Sequence, residues 1–232
     1  MNTYAVADLH GQYDLWCKIK EILQPDDVLY LLGDCNDRGP DGWKIIKEAL
    51  TDPRVKYIRG NHEQMLLESW KSEWCDNHLW FYNGGYETFE SILADANAEI
   101  YLKQLNRTLY KYEYINKNHQ TILLSHAGYT LFEDDADPNS KDLLWDREHI
   151  FGRNDWWPNT NPSVYVVHGH TPVGSSVFKQ RDVLIPEDTK FNSTRTVCRY
   201  THGHKICIDA GCFSTHQIAL LDLDTLEERV IK

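Results

Sequence analysis

Short apolar runs recur along this chain at Thr3–Ala7, Val28–Leu32, Val55–Ile58, Thr121–Leu124, Val164–Val167, Ile206–Ile208 and Ile218–Leu223. They are mostly β-branched or aliphatic and are bounded by Gly, Asp, Asn or Pro, which predicts strands. Between the first three runs the period changes. Leu15, Ile19, Ile22 and Leu23 follow the spacing of one helical face, and Pro25 ends that stripe. Ile45, Ala49 and Leu50 form a second stripe after Pro40, and Leu66, Trp70 and Trp74 a third. This β-α-β-α-β order predicts a parallel start to the sheet with crossover helices packed on it. The closing portion is rich in strand and poor in helix, so a mixed sheet or two facing sheets is expected. Residues 62–112 read as a helical, aromatic cap, and residues 175–205 as a variable insertion. With no internal repeat and no obvious linker, one domain spanning 1–232 is expected.

Polar clusters follow five of the apolar runs. They are Asp8-Leu9-His10-Gly11, Gly33-Asp34-Cys35-Asn36-Asp37-Arg38-Gly39, Gly60-Asn61-His62-Glu63, His126-Ala127-Gly128 and Gly169-His170-Thr171-Pro172. Loops at the C-terminal ends of strands are where open α/β sheets collect ligand sites. Asp8 and His10 are two apart, so on extended backbone both side chains point to one side. Asp34 offers a carboxylate that can bridge two cations, Asn61 an amide oxygen, and His126 and His170 imidazoles. Asp8, His10 and Asp34 are expected on one metal, with Asp34, Asn61, His126 and His170 on a second. Oxygen and nitrogen ligands without thiolate suit Mn, Fe or Zn. Any one cluster could be a turn or a satisfied polar group. Burying all of them unpaired would be costly, which favours a dinuclear metal site.

Composition adjusts this picture. The 232 residues carry 24 Lys and Arg against 35 Asp and Glu, a formal net charge of −11. That argues against broad binding to nucleic acid or to an anionic membrane. It also repels an anionic substrate at long range, an effect two divalent cations would reverse at the site itself. No apolar stretch approaches a membrane span, and no signal-peptide pattern precedes the first strand, so a cytoplasmic location is expected. Cys17, Cys35, Cys75, Cys198, Cys207 and Cys212 show no paired spacing, and free thiols are expected. Cys207 and Cys212 are the closest pair in sequence. Cys35 reads as a bystander within the metal cluster.

The motifs resemble those of the phosphoprotein phosphatase branch of the calcineurin-like metallophosphoesterases, whose signature is G-D-x-H-G, G-D-x-x-D-R-G and G-N-H-E. Ala7 stands at the first glycine, and the other two motifs are intact. Asn83-Gly84-Gly85, Trp145-Asp146-Arg147-Glu148 and Ile208-Asp209-Ala210-Gly211 extend the likeness, which is strongest to the small phage and bacterial members, the lambda type. The resemblance covers roughly residues 3–225. It implies an α/β fold, a β-sandwich flanked by helices in α/β/β/α layers. It further implies two divalent metal ions, commonly Mn, and direct attack by metal-bound hydroxide on a phosphomonoester without a phosphoenzyme. Carried over, His62 is the general acid and Asp37 its carboxylate partner. Arg38 and Arg147 bind phosphate, and Asn61 serves both metal and substrate. The expected substrate is a phosphorylated protein, on Ser/Thr or with dual specificity, or a small phosphoester. The same chemistry on a dinucleoside tetraphosphate is the alternative, and a non-catalytic binding module a remote one.

Weaker signals remain. His168 reads as an outer or solvent-facing residue, Asp209 as a ligand-orienting carboxylate or a structural hydrogen bond, and His202 and His204 as a poor candidate metal pair. Residues 175–205 hold Lys179, Arg181, Lys190, Arg195, Arg199 and Lys205, which suggest a solvated hairpin or, failing that, a flap over an anionic substrate.

Overall fold

The computed structural model describes residues 1–128, 142–151, 163–184, 192–193, 196–200 and 203–232. Strand β1 (Thr3–Val6) leads to α1 (Tyr13–Ile22), β2 (Val28–Leu31) to α2 (Gly42–Thr51), and β3 (Val55–Tyr57) to α3 (Asn61–Lys71). β2 runs parallel to both β1 and β3, as the alternating order predicts. Three further helices follow, α4 (His78–Tyr82), α5 (Tyr86–Leu93) and α6 (Ala98–Leu105). Then come β4 (Lys111–Ile115), β5 (Thr121–Ser125), β6 (Val164–His168), β7 (Asn192–Ser193), β8 (Cys198–Tyr200), β9 (Lys205–Cys207), β10 (Ile218–Asp222) and β11 (Glu228–Ile231).

These strands form two sheets, ordered β11-β10-β1-β2-β3 and β4-β5-β6-β9-β8-β7. The period-2 alternation of side chains decides what each face meets. Ala5, Tyr30, Ala219 and Leu221 point into a core shared with Ile122, Leu124, Val167 and Ile206 of the second sheet. Their neighbours Val6, Leu29, Leu31, Ile218 and Leu220 point the other way, onto Leu15, Trp16, Ile19, Ile45 and Ile46 of α1 and α2. On the far side of the second sheet, Cys198, Tyr200 and Cys207 pack against Phe178 of the helix Ser176–Leu184. The result is the expected α/β/β/α layering. No helix among the described residues is long and apolar enough to cross a membrane.

Four strands escaped the sequence reading. In β4 the Lys111 and Glu113 side chains interrupt the apolar signal, while Tyr112 and Tyr114 pack against the inter-sheet core. β7, β8 and β11 are short, and β7 and β11 lie at sheet edges, where pairing requires no continuous apolar run. The third helical stripe also stops early. α3 ends at Lys71, and Trp74 reaches the core from a left-handed turn with φ 65°, stacked 6.0 Å from Trp80. The stretch 175–205 is no simple hairpin, because it opens with a helix whose Phe178 is buried. Arg199 is held by the Leu226 carbonyl at 2.8 Å and Glu228 at 2.7 Å, and Lys205 is buried on the His149 carbonyl at 2.9 Å. Neither is available as a flap cation; Lys190, Arg195 and His202 lie outside the described residues.

Candidate metal centre

Parallel pairing brings the key residues together. β1, β2 and β3 end on one side of the first sheet, and β5, β6 and β9, also mutually parallel, bring His126, His170 and Asp209 to the same place. Crossing bonds lace the loops: Asp8 N–H to the Gly33 carbonyl at 3.1 Å, His10 N–H to Asp34 at 2.9 Å and Gly11 N–H to Cys35 at 2.8 Å. The turns are tight enough that Asp8, His10, Asp34, Asp37, Arg38 and His170 all have positive φ, between 42° and 66°. Such backbone is costly for residues with side chains and persists where the surroundings over-determine it. At Gly60 a Cβ would lie 2.2 Å from Asp34 Oδ1, so only glycine lets α3 begin against that carboxylate.

Glu63 fastens the arrangement. Its carboxylate accepts from the backbone N–H groups of Gly60 (2.8 Å), Asp34 (2.9 Å) and Cys35 (2.7 Å), and from Tyr57 Oη (3.0 Å). A glutamate three residues after the helix cap commonly reaches back in this way. Here it also pins the neighbouring loop. The motif contained Glu63, but its positioning role was not legible, because half of its partners lie about thirty residues away.

Around Asp34 the acceptors converge. In one group His10, Asp34 and His62 offer donor atoms within 4.8 Å of one another, and in a second Asp34, His126 and His170 do so. His126 Nε2 lies 2.8 Å from Asn61 Oδ1 and 3.4 Å from Asp34 Oδ1, and His170 Nδ1 lies 3.0 Å from Asn61 Oδ1. Asp8 flanks these groups, with its carboxylate on the His170 backbone N–H at 2.9 Å. Hydrogen bonds set the tautomers. His126 Nδ1 donates to the Leu32 carbonyl at 2.7 Å and His10 Nδ1 to Asn36 at 3.0 Å, so each ring turns its Nε2 inward. Burial and the neighbouring His62 lower the His10 pKa to about 3, and its Nε2 accepts from the Arg38 guanidinium. Imidazole nitrogens of His126 and His170, the Asn61 amide oxygen and the Asp34 carboxylate thus converge. Among proteinaceous arrangements this one fits divalent cations.

The carboxylates agree. Burial, then Asp209 and Asp34, push Asp8 well above its ordinary range. Burial likewise lifts Asp209, the carboxylate on Gly211 N–H at 2.8 Å, to about 7. Burial also acts upward on Asp34, but the imidazoles of His126, His62, His10 and His170 outweigh it and lower the pKa.

A second set of side chains adjoins. His62 Nδ1 meets Asp37 Oδ2 at 2.7 Å, and Trp80 Nε1 donates to the same oxygen at 2.9 Å. Asn36 Nδ2 donates to the other oxygen at 2.8 Å, and Asp37 N–H to Thr88 Oγ1 at 3.0 Å. Trp80 and Thr88 are additions that no sequence signal marked. Burial lowers the His62 pKa, yet Asp34 and Asp37 outweigh it and raise it. The Arg38 guanidinium spans His10 Nε2 at 2.9 Å and His62 Nε2 at 3.0 Å. Arg147 is exposed. Burial lowers its pKa, while Asp209, Asp146, Asp34 and Asp8, in that order, act to raise it.

The weaker candidates separate from this centre. His168 is buried, not solvent-facing, with Nε2 at 2.7 Å from Tyr200 Oη. His204 bonds the Val164 carbonyl at 2.9 Å and stacks on Tyr165. Cys35 is buried, and burial and Glu63 raise its thiol pKa. All six cysteines are free, and Cys207 faces Cys198 across β8 and β9.

A family model described as calcineurin-like phosphoesterase matches residues 1–208. The chain is 28% identical to Serine/threonine-protein phosphatase 1 of Salmonella typhimurium, over 74% of this chain and 79% of that protein. It is 23% identical to an asymmetrical bis(5'-nucleosyl)-tetraphosphatase of Bacillus velezensis, over 89% of this chain and 92% of that one. Among solved structures, a protein provisionally assigned as a diadenosine tetraphosphatase aligns with a TM-score of 0.63 at 15% identity, covering 99% of this chain and 92% of the other.

Proposed function

This chain belongs to the calcineurin-like phosphoesterase family of hydrolases, and we propose that it hydrolyses phosphomonoesters as a Ser/Thr protein phosphatase of the phosphoprotein phosphatase branch. The observation that carries this reading is the convergence of His10, Asn61, His126 and His170 around the Asp34 carboxylate. The intact second and third motifs and the phosphatase name of the Salmonella relative support it.

In this reading Asp8, His10 and Asp34 hold one divalent cation, and Asp34, Asn61, His126 and His170 hold the other, with Mn preferred over Fe or Zn. When bound, such a pair supplies Lewis acidity and lowers the pKa of water at the site. The protein's own groups do the rest. Arg38 and Arg147 orient the phosphoryl oxygens, a task suited to planar guanidinium forks. Asn61 would serve as a further substrate contact. His62 gives its Nε2 proton to the leaving oxygen while Asp37 holds Nδ1–H. Arg38 now donates to His62 Nε2, which requires a lone pair there. It must therefore turn toward the phosphate before His62 can act as an acid. Trp80 and Asn36 keep the Asp37 carboxylate facing His62.

We treat residues 1–232 as one domain, with the helical stretch 62–112 beside the site and 175–205 as a variable insertion. The free cysteines fit a reducing cytoplasm. The net charge of −11 fits phosphorylated protein or small phosphoester partners better than nucleic acid or membrane. A second reading, cleavage of dinucleoside tetraphosphates, draws on the name of the Bacillus relative. The two separate in one assay of the full chain loaded with Mn. Inorganic phosphate should appear from phosphoseryl and phosphothreonyl peptides. Release of ATP or ADP from diadenosine tetraphosphate, without phosphopeptide turnover, would replace the first reading with the second.

A further inference from the structure

Two imidazoles of the centre share one guanidinium, and their tautomers explain why. His10 Nδ1 lies 3.0 Å from the Asn36 carbonyl, and His62 Nδ1 lies 2.7 Å from Asp37 Oδ2. Both partners are pure acceptors, so in each neutral ring the proton sits on Nδ1 and Nε2 keeps the lone pair. Arg38 answers both, with Nη1 at 2.9 Å from His10 Nε2 and Nη2 at 3.0 Å from His62 Nε2. The rings meet edge-on with centroids 4.8 Å apart, a geometry suited to a planar fork. Asp34 Oδ2 faces the same point, 3.8 Å from His10 Nε2 and 3.9 Å from His62 Nε2.

A neutral imidazole has a single in-plane lone pair. It can accept from Arg38 or coordinate a cation, not both at once. His10 supplies the imidazole assigned to the first cation, whereas His126 Nε2 and His170 Nδ1, from the residues assigned to the second, face Asn61 Oδ1 instead. The same guanidinium is assigned to the phosphoryl oxygens, and an ionised phosphate is a stronger acceptor than a neutral ring. The side chain has room to move between these partners. Arg38 is exposed and lines an open cavity of ≈ 620 Å³ with Tyr82, Gly84 and Phe213. Its backbone is fixed, since the N–H donates to the Gly84 carbonyl at 3.0 Å from a left-handed turn with φ 65°. Only the guanidinium end can swing.

We propose that Arg38 is a two-position residue that couples phosphate binding to binding of the first cation. Parked on His10 and His62, it closes the first cation's nitrogen ligand and the acid's Nε2 together. Drawn onto a phosphoryl group, it opens both. Phosphate and first cation therefore favour each other beyond what their direct contact contributes, and by linkage each strengthens the other by one common factor. The second cation, whose imidazoles face Asn61, is spared. The inference rests on the metal-dependent phosphatase reading and deepens it, by making assembly of the centre depend on the group it acts upon.

Calorimetry of Mn binding to the full chain, first stripped with a chelator, tests this without turnover. Titrations run with and without saturating inorganic phosphate, on the unaltered chain and on Arg38→Met, which keeps the stem and loses the donors. Arg38 is exposed, so folding should survive, and circular dichroism verifies it. Releasing His10 from a charge-assisted hydrogen bond should tighten one Mn equivalent by roughly 10-fold, with the other within about 2-fold. The gain in Mn affinity caused by phosphate should shrink by the same factor of about 10 in Arg38→Met. Unchanged or weaker Mn binding overturns the proposal. So does tighter binding with an unchanged phosphate effect, which is what plain charge repulsion would give. Arg38→Lys keeps the charge and lacks the fork. It should shift both quantities the same way by a smaller factor, and it decides the matter should Arg38→Met not fold. Failure to bind two Mn would remove the metal centre along with the coupling. Absence of phosphopeptide turnover would instead sink the phosphatase reading and leave these binding results standing.

Discussion

Two regions of this molecule gather carboxylates, and they treat them in opposite ways. On the outer side of α1 and α2, Glu48 accepts from Tyr13 Oη at 2.6 Å, from Trp16 Nε1 at 3.0 Å and from Lys20. Asp95 accepts from Trp43 Nε1 at 2.9 Å and Lys47 at 2.6 Å, and Asp52 from Arg54 at 2.7 Å. Donors match acceptors there. Lys47 holds Asp95 down to about 2, Arg54 lowers Asp52, and at Glu48 the donors outweigh the upward push of burial. At the strand ends, burial raises Asp8 and Asp209 instead, and Asp34 is lowered by imidazoles rather than by Lys or Arg. A balanced cluster is a structural ion pair. An acceptor-rich buried cluster is built for cations that the chain itself does not supply.

The sharpest way to break this contrast is at Asp34, which both ligand groups share. Asp34→Asn should lose bound metal by elemental analysis and lower kcat/KM by roughly 10³-fold or more, about 4 kcal/mol of transition-state stabilisation. Retention of two equivalents of metal would show that the acceptor excess serves another purpose. Next in size is His62→Asn. General acid catalysis contributes roughly 10²- to 10⁴-fold, so kcat should fall by that factor while KM and metal content stay near those of the unaltered chain. Since His62 Nε2 also stands 3.9 Å from Asp34 Oδ2, loss of metal in this variant would reassign it as a ligand.

The smallest effect belongs to the balanced region. Asp95→Asn should cost about 1 kcal/mol in denaturant unfolding at pH 7, with catalysis unchanged. The Asp95 pKa is depressed in the folded state, so its contribution is present above the unfolded value and lost as pH falls toward about 2. The gap between Asp95→Asn and the unaltered chain should therefore close between about pH 4 and pH 2. A gap that persists at low pH would mean that packing of Trp43, not charge, accounts for the loss.

Much of this centre was legible because its chemistry is local in sequence. Asp8 with His10, Asp34 with Asp37 and Arg38, and Asn61 with His62 and Glu63 are each contained in a few residues after a strand. Trp80 and Thr88 were not legible. They reach Asp37 from 43 and 51 residues away, and in sequence they look like ordinary members of a helical, aromatic stretch. Strand β4 was hidden for a related reason, since Lys111 and Glu113 alternate with the tyrosines that pack against the inter-sheet core. The charges of residues 175–205 misled in the other direction, because Arg199 and Lys205 are bound to backbone carbonyls.

From the amino-acid order alone follow the strand and helix periods of the first half, the family and a set of candidate side chains for binding cations. Period and residue type are short-range properties, and a few neighbours suffice to express them. Which of those side chains meet, and with which atom, was decided by the packed sheets. His10 and His126 present Nε2 because Asn36 and Leu32 carbonyls, 26 and 94 residues away, capture the opposite nitrogen. An imidazole's free lone pair depends on the partner of its other nitrogen, and only the folded chain brings that partner within reach.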